Sequence, residues 1–215
     1  MRDAVRGHRS LLVDGLVLHR DVSVNNVLIT LPTDERPDGF KGCLLDLDHA
    51  ITSDPLGHHS GAPERTGTFE FMSTRARRSA PEFRHCYYDD LQSFMWVFFW
   101  LITCDRERWL AEWSNPNPLA AALYKMDQIQ SKEAFEQQLA PHFAPHLGTA
   151  VGHAAANLRN VLWPDPLSKD LDSEKVRDDL YKAVIGAFKN ALEGARKEAV
   201  TLEPRVVVSR DRMAY

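Results

Sequence analysis

Two aspartates and an asparagine carry the chemistry open to this sequence. Asp21 lies in His19-Arg20-Asp21-Val22-Ser23-Val24-Asn25-Asn26, with Asn26 five positions after it. Asp46 lies 25 positions after Asp21, in Leu44-Leu45-Asp46-Leu47-Asp48-His49-Ala50. A carboxylate at the head of a short loop can accept the hydrogen of an attacking hydroxyl. A second carboxylate and an amide oxygen are hard ligands, a set that suits Mg²⁺. The spacing asks for a loop that turns back on itself, so that Asp21 orients one group while Asn26 holds a cation beside it.

Elements on either side must position these residues. Ala4, Val5, His8, Leu11, Leu12 and Gly15 recur at helical intervals over 3–17, which predicts an amphipathic helix leading into the loop. Val27-Leu28-Ile29-Thr30 and Cys43-Leu44-Leu45 flank the turn-rich stretch Pro32–Gly39 and predict a hairpin. From Ile51 to Arg84 no apolar period is sustained, and a loop of that length in a compact domain is often functional. Leu91 to Leu101 is apolar nearly all round, the pattern of a helix covered on every side, expected over 91–104. Beyond Asn115-Pro116-Asn117-Pro118 the chain reads as helical again. Its clearest late helix is 174–198, with Ser173 as N-cap and Val176, Leu180, Val184, Phe188 and Leu192 as its apolar stripe. The tail from Thr201 mixes charges with Val206-Val207-Val208.

The loop fits H-R-D-hydrophobic-x-x-x-N, the catalytic-loop pattern of protein kinases, and Asp46-Leu47-Asp48 stands where those enzymes carry D-F-G. Thr66-Gly67-Thr68-Phe69-Glu70-Phe71-Met72 resembles the end of an activation segment, and Asp89-Asp90-Leu91-Gln92-Ser93 opens the apolar helix. In this order, with Ser23 where most kinases have Lys or Ala, the four elements resemble the fungal-type protein kinases over about residues 3–104. The resemblance implies a mainly α fold with one or two short β-hairpins, the C-terminal lobe of the α+β protein-kinase-like fold. That lobe would span 1–200 and the tail 201–215, with the catalytic loop at 19–26 and the activation segment at 46–82. Implied with it are ATP and Mg²⁺ as cofactors and phosphoryl transfer to protein serine or threonine hydroxyls. Asp21 and Ser23 would be catalytic, and Asn26 and Asp46 metal ligands. His19, Arg20, Asp48, Thr66 and Thr68 would be structural or regulatory, and Asp90 would hydrogen-bond the catalytic-loop backbone. Arg20 would meet a phosphorylated residue or a nearby carboxylate, and Leu47 would replace the Phe as an apolar plug.

Departures from the pattern shape the expectation as much. The sequence contains no G-x-G-x-x-G, no V-A-I-K strand and no partner Glu on a preceding helix, so the lobe that holds ATP from above is expected to be absent or separate. Whether Met1 is a true start or the edge of a gene piece belongs to the same expectation. Ala80-Pro81-Glu82 spells A-P-E too far from Thr68, and Ser73-Thr74-Arg75 stands at the expected place. Around Leu28, Leu44 and Leu47 an uncovered apolar patch follows.

Composition narrows the alternatives. A formal charge of -4 and a pI near 6.1 exclude the basic excess of a nucleic-acid binder. Cys43, Cys86 and Cys104 lack metal-type spacing and read as thiols in a reducing compartment. The charged start and the short apolar run Phe94–Ile102 predict neither a leader nor a membrane span, hence a soluble cytoplasmic or nuclear protein. Arg75, Arg77 and Arg78 read as a solvated loop face rather than a substrate-recognition cluster, and His58 and His59 as exposed loop residues. Two other functions compete: an inactive pseudokinase scaffold, and a small-molecule kinase of the aminoglycoside or choline type. Arg20 and the Thr66–Met72 element stand against the latter.

Overall fold

The computed structural model describes residues 1–30, 41–53, 67–78, 83–104, 106–163 and 170–202. Pro32–Gly39, His58, His59, Thr66, Ala80-Pro81-Glu82 and Val206–Val208 lie outside the described residues. The fold is mainly helical with two small antiparallel sheets.

Helix α1 (Arg2–Val13) buries Ala4, Val5, His8 and Leu12 on one face. It is shorter than the predicted 3–17. The chain turns at Asp14-Gly15 and Leu16 takes a left-handed φ of 53°, which frees Val17 to enter a strand. Strand β1 (Val17–Leu18) pairs with β4 (Ile51–Thr52), joining Val17 to Thr52 and Leu18 to Ile51. The predicted hairpin is β2 (Val27–Thr30) with β3 (Lys41–Leu44), in register Val27↔Leu44 to Thr30↔Lys41. Both sheets straddle the loop 19–26 and fix its ends.

The stretch 51–84 contains a helix that periodicity does not reveal. A 3₁₀ turn (Phe69–Phe71) leads into α2 (Thr74–Arg78), which buries Thr74, Ala76 and Arg77. Five residues are too few to show an amphipathic period.

Helix α3 (Tyr87–Ile102) starts four residues before the predicted Leu91. Its N-terminus is closed by the Cys86 thiol and by Asp89, whose carboxylate accepts the Cys86 amide at 2.9 Å. Cys is an uncommon N-cap, which hides this start from sequence reading. Burial pushes the Cys86 thiol up to about 12, so it stays protonated. From Tyr87 to Phe99 every α3 side chain is buried, and Phe94, Trp96, Phe98 and Phe99 are core. Helices α1, α7 (Thr149–Leu162) and α8 (Glu174–Leu202) pack on it, with Phe98 edge-on to Phe188 at 5.1 Å.

Helices α4 (Arg106–Trp113) and α5 (Pro118–Ile129) pack beside the 3₁₀ turn and α2, and α6 (Lys132–Ala134) follows against α5. Asn117 caps α5 by accepting from the Leu119 and Ala120 amides, and Pro118 fits its first turn. Ser173 caps α8 as predicted, accepting the Val176 amide at 3.4 Å. In the α8 stripe Leu180, Val184 and Phe188 are buried, whereas Leu192 is exposed because the core ends at Ala191, one residue earlier. No helix among the described residues is long and apolar enough to cross a membrane.

Candidate phosphotransfer site

The loop 19–26 is held at both ends before any functional group is considered. His19 is buried, and its Nδ1 accepts the Asp21 amide at 3.2 Å. Its Nε2 therefore carries the hydrogen and donates to the Leu45 carbonyl at 2.9 Å. The Leu45 amide in turn donates to the Asn26 carbonyl at 2.9 Å. Both ends of the loop thus grip the residue that precedes Asp46.

Asp21 and Asn26 meet directly. Asn26 Nδ2 donates to the Asp21 carbonyl at 2.8 Å and to Asp21 Oδ2 at 3.1 Å. The other carboxylate oxygen, Oδ1, accepts the Thr68 amide at 2.7 Å and the Thr68 hydroxyl at 2.8 Å. Asp21 is half-buried, so its carboxylate is oriented by fixed donors while keeping access to solvent. Asp46 is exposed, in a left-handed conformation with φ 66°, and its Oδ1 accepts the Asp48 amide at 3.1 Å. Asp tolerates that conformation because its short polar side chain bonds locally. The special backbone thus falls on Asp46, not on Asp48 at the glycine place, and Asp48 and Leu47 are both exposed. Ser23 is buried in the loop, and its hydroxyl has no hydrogen-bond partner among the described residues.

The donor set suits a hard cation in part. With Asn26 Nδ2 turned to Asp21, the amide oxygen is the atom left for a metal, and Asp46 Oδ2 is a second oxygen. One carboxylate and one amide match Mg²⁺, which takes its remaining oxygens from water and phosphates. No cluster of three His, Cys, Asp or Glu side chains that could hold a metal occurs among the described residues. Among the described residues, the oxygens this loop and Asp46 offer such a site are those two.

Gly67 brings Thr68 to Asp21. Its φ is +109°, and a Cβ there would lie 2.7 Å from the Arg20 carbonyl oxygen and 3.3 Å from Asp21 Oδ1. Gly67→Ala should lower stability by about 1–3 kcal/mol through backbone strain and should lift Thr68 off Asp21. A urea midpoint equal to the native one would mean that this close approach is not kept in solution.

Beneath the loop lies a buried polar network. Asp90, fully buried, accepts the Arg20 amide at 3.2 Å on Oδ2, and Arg20 sits at a left-handed φ of 70°. His8 Nε2 lies 2.8 Å from Asp90 Oδ2, and His85 Nε2 lies 2.8 Å from Oδ1. His8 Nδ1 continues the chain to the Tyr181 hydroxyl at 2.7 Å. Burial works against the Asp90 charge, yet His85 and His8 hold its carboxyl far below the usual carboxylate range. Burial also opposes a proton on His85, but the Asp90 carboxylate overcomes it and raises the ring's affinity. His19, with burial dominant over its neighbouring carboxylates, is shifted down.

These shifts give stability a pH optimum. The proton bound by His85 contributes fully below the unfolded value near 6.5 and is lost as pH rises through the raised folded value. His19 acts oppositely: below 6.5 the unfolded chain takes a proton that the folded ring resists, so stability falls with pH there. Asp90 adds a further loss once pH drops below the carboxylate range. The urea midpoint should therefore peak near neutrality and decline on both sides, and His85→Gln should flatten the alkaline limb. An alkaline limb unchanged in that variant would remove His85 from the account.

Of the three arginines predicted as a solvated face, Arg78 is exposed, whereas Arg75 and Arg77 are structural. Arg75 donates from Nε to Asp89 Oδ1 at 3.1 Å and pairs from its terminal nitrogen with Asp89 Oδ2, where Ser73 also donates at 2.6 Å to Oδ1. Arg77 is buried and donates to the carbonyls of Trp113 and Asn115, each at 3.1 Å. Arg75 stands where an A-P-E glutamate would stand, and the buried carboxylate that receives it is Asp89. A basic loop facing buried acids folds inward because the buried charge needs a partner. Asp89, His8, His85 and Tyr181 escape sequence reading; the adjacent pair Asp89-Asp90 at the start of an apolar helix is the one signal that marks a buried charge site.

The fungal protein kinase family profile matches residues 1–102, the part that contains the loop, Asp46, Thr68 and Asp90. No curated protein matches the chain.

Proposed function

We propose, with the fungal protein kinase match over residues 1–102 as the premise, that this chain supplies the lower half of a site for phosphoryl transfer from ATP to a serine or threonine hydroxyl of a protein. The supporting observation is the joining of three segments at one point: Asn26 bonds to Asp21, Thr68 bonds to Asp21, and Leu45 is pinned by His19 and Asn26 immediately before Asp46. Such transfer depends on positioning and charge neutralisation rather than on protein covalent chemistry. Asp21 is the group that orients the hydroxyl and receives its hydrogen. Thr68 and Asn26 fix the direction of that carboxylate. Asn26 and Asp46 are the residues that would hold Mg²⁺, which neutralises phosphate charge when bound.

Leu28, Leu45 and Leu47, 47%, 44% and 51% exposed, lie on the strands and loop beside this point, while Leu44 packs on the core. An exposed apolar patch of this kind favours association. Its position supports an upper lobe, from another segment or another chain, that closes over the nucleotide.

Calorimetry with Mg-ATP tests the reading. The chain should bind nucleotide weakly and only with Mg²⁺, and Asp46→Asn should abolish that binding. Radiolabel transfer by the chain alone should be close to background. No nucleotide binding at all, with the fold intact, would favour a scaffold. Robust transfer to a small alcohol but to no protein would favour the small-molecule reading.

A further inference from the structure

Lys125 is the most unexpected charge in the molecule. It sits in the middle of α5 and is fully buried. Its Nζ donates to the carbonyls of Glu70 at 2.6 Å and Met72 at 2.9 Å, the middle and the C-cap of the 3₁₀ turn that follows Thr68. The ammonium also lies over two indole faces, 4.7 Å from the Trp96 ring centre and 5.0 Å from that of Trp113. Those rings meet edge to face at 5.3 Å, so the platform comes from α3 and α4 together. Among the described residues no carboxylate pairs with Lys125. Among the described residues its direct contacts are two carbonyl dipoles and two aromatic faces.

An ammonium buried without a counter-ion costs several kcal/mol and survives only where its environment is fixed. Here it fixes one particular thing. The Glu70 and Met72 carbonyls lie two and four residues after Thr68, whose amide and hydroxyl both donate to Asp21 Oδ1. Gly67, on the other side of Thr68, is already pressed against the Arg20 carbonyl. The Thr68 position is thus clamped from before by Gly67 and from after by Lys125.

We infer that Lys125 is a positioning residue for Asp21: its ammonium, seated on Trp96 and Trp113, holds the 69–72 turn so that Thr68 presents both donors to the carboxylate. The inference rests on reading Asp21 as the hydroxyl-orienting group, and it adds a control point on α5, outside the matched residues 1–102. Two charged groups face Lys125 from the elements packed on it. Glu70, on the turn, favours its proton, and Arg77, on α2, disfavours it. Burial outweighs both and moves its pKa well below that of an exposed lysine. Loss of the proton removes the attraction to the ring faces and weakens the grip on the two carbonyls.

The test follows the Thr68 amide by NMR together with tryptophan emission as pH is raised on the whole chain. Thr68, Phe71 and the emission should move in one transition, below the ordinary lysine value of about 10.4. In Lys125→Met, close to it in volume and unable to take a proton, that transition should vanish. The Thr68 amide should then exchange with solvent on the order of tenfold faster than in the native chain. A Thr68 signal that stays still while the emission titrates would overturn the inference, as would native exchange rates in a folded Lys125→Met. If the variant does not fold, the titration of the native chain decides alone. Neither readout involves phosphate transfer, so a failure to transfer counts against the functional reading and not against this coupling.

Discussion

Replacing Asp90 by Ala should lower stability by about 3–5 kcal/mol, measured from denaturant midpoints, because it strands several groups at once. His85 and His8 lose the carboxylate that each approaches at 2.8 Å, and the Arg20 amide loses its acceptor. Arg20 holds a left-handed backbone, so it has no ordinary conformation in which to find another partner cheaply. Asp90→Asn should cost less, since one amide oxygen still accepts, and it should lower the proton affinity of His85, because burial then acts without the Asp90 charge to offset it. In that variant the alkaline decline in stability should shrink. A loss below about 1 kcal/mol for the alanine variant would mean that solvent reaches the site and that the network is not buried as described.

The second large effect concerns turnover. With an upper lobe supplied, Asp21→Asn should reduce kcat by a factor on the order of 10²–10⁴ while nucleotide affinity stays nearly native. The substitution keeps the shape of the loop. An asparagine oxygen still accepts from Thr68, and Asn26 Nδ2 still has the residue-21 carbonyl at 2.8 Å. What disappears is the capacity to take a proton. Steady-state rates beside equilibrium nucleotide titration separate these quantities. A parallel fall in affinity and kcat would assign Asp21 to binding instead, and an unchanged kcat would remove it from the chemistry.

Much of this architecture is legible in the sequence where local order decides it. The hairpin 27–44, the Ser173 cap and the all-round apolar run of α3 follow from periodicity and capping, which depend on near neighbours. The meeting of Asp21 and Asn26 is legible because a loop that folds back must be short. Polar groups that turn inward are not legible. Lys125 and Arg77 sit at positions where a helix surface would ordinarily carry a charge, and His8 falls in the apolar period of α1 without revealing its partners. Their burial is decided by Trp96, Trp113, Asp90 and Tyr181, which arrive from elements up to 173 residues away. The exposed Leu192 is the same effect reversed, an apolar residue in good register that the core does not reach.

The bond between Tyr181 and His8 also bears on how the gene can be divided. The matched stretch stops at residue 102, yet the apolar cluster runs without a break from Ala4 to Ala191. Helices α7 and α8 form one wall of the slot in which α3 lies. A fragment cut after Ile102 would keep every residue of the proposed reaction centre while uncovering Phe94, Trp96, Phe98 and Phe99 along one helix. It would inherit a complete motif and no means of staying dissolved. Inheritance of the proposed site by recombination must therefore carry the downstream helices with it, because the matched stretch is smaller than the apolar cluster that covers α3.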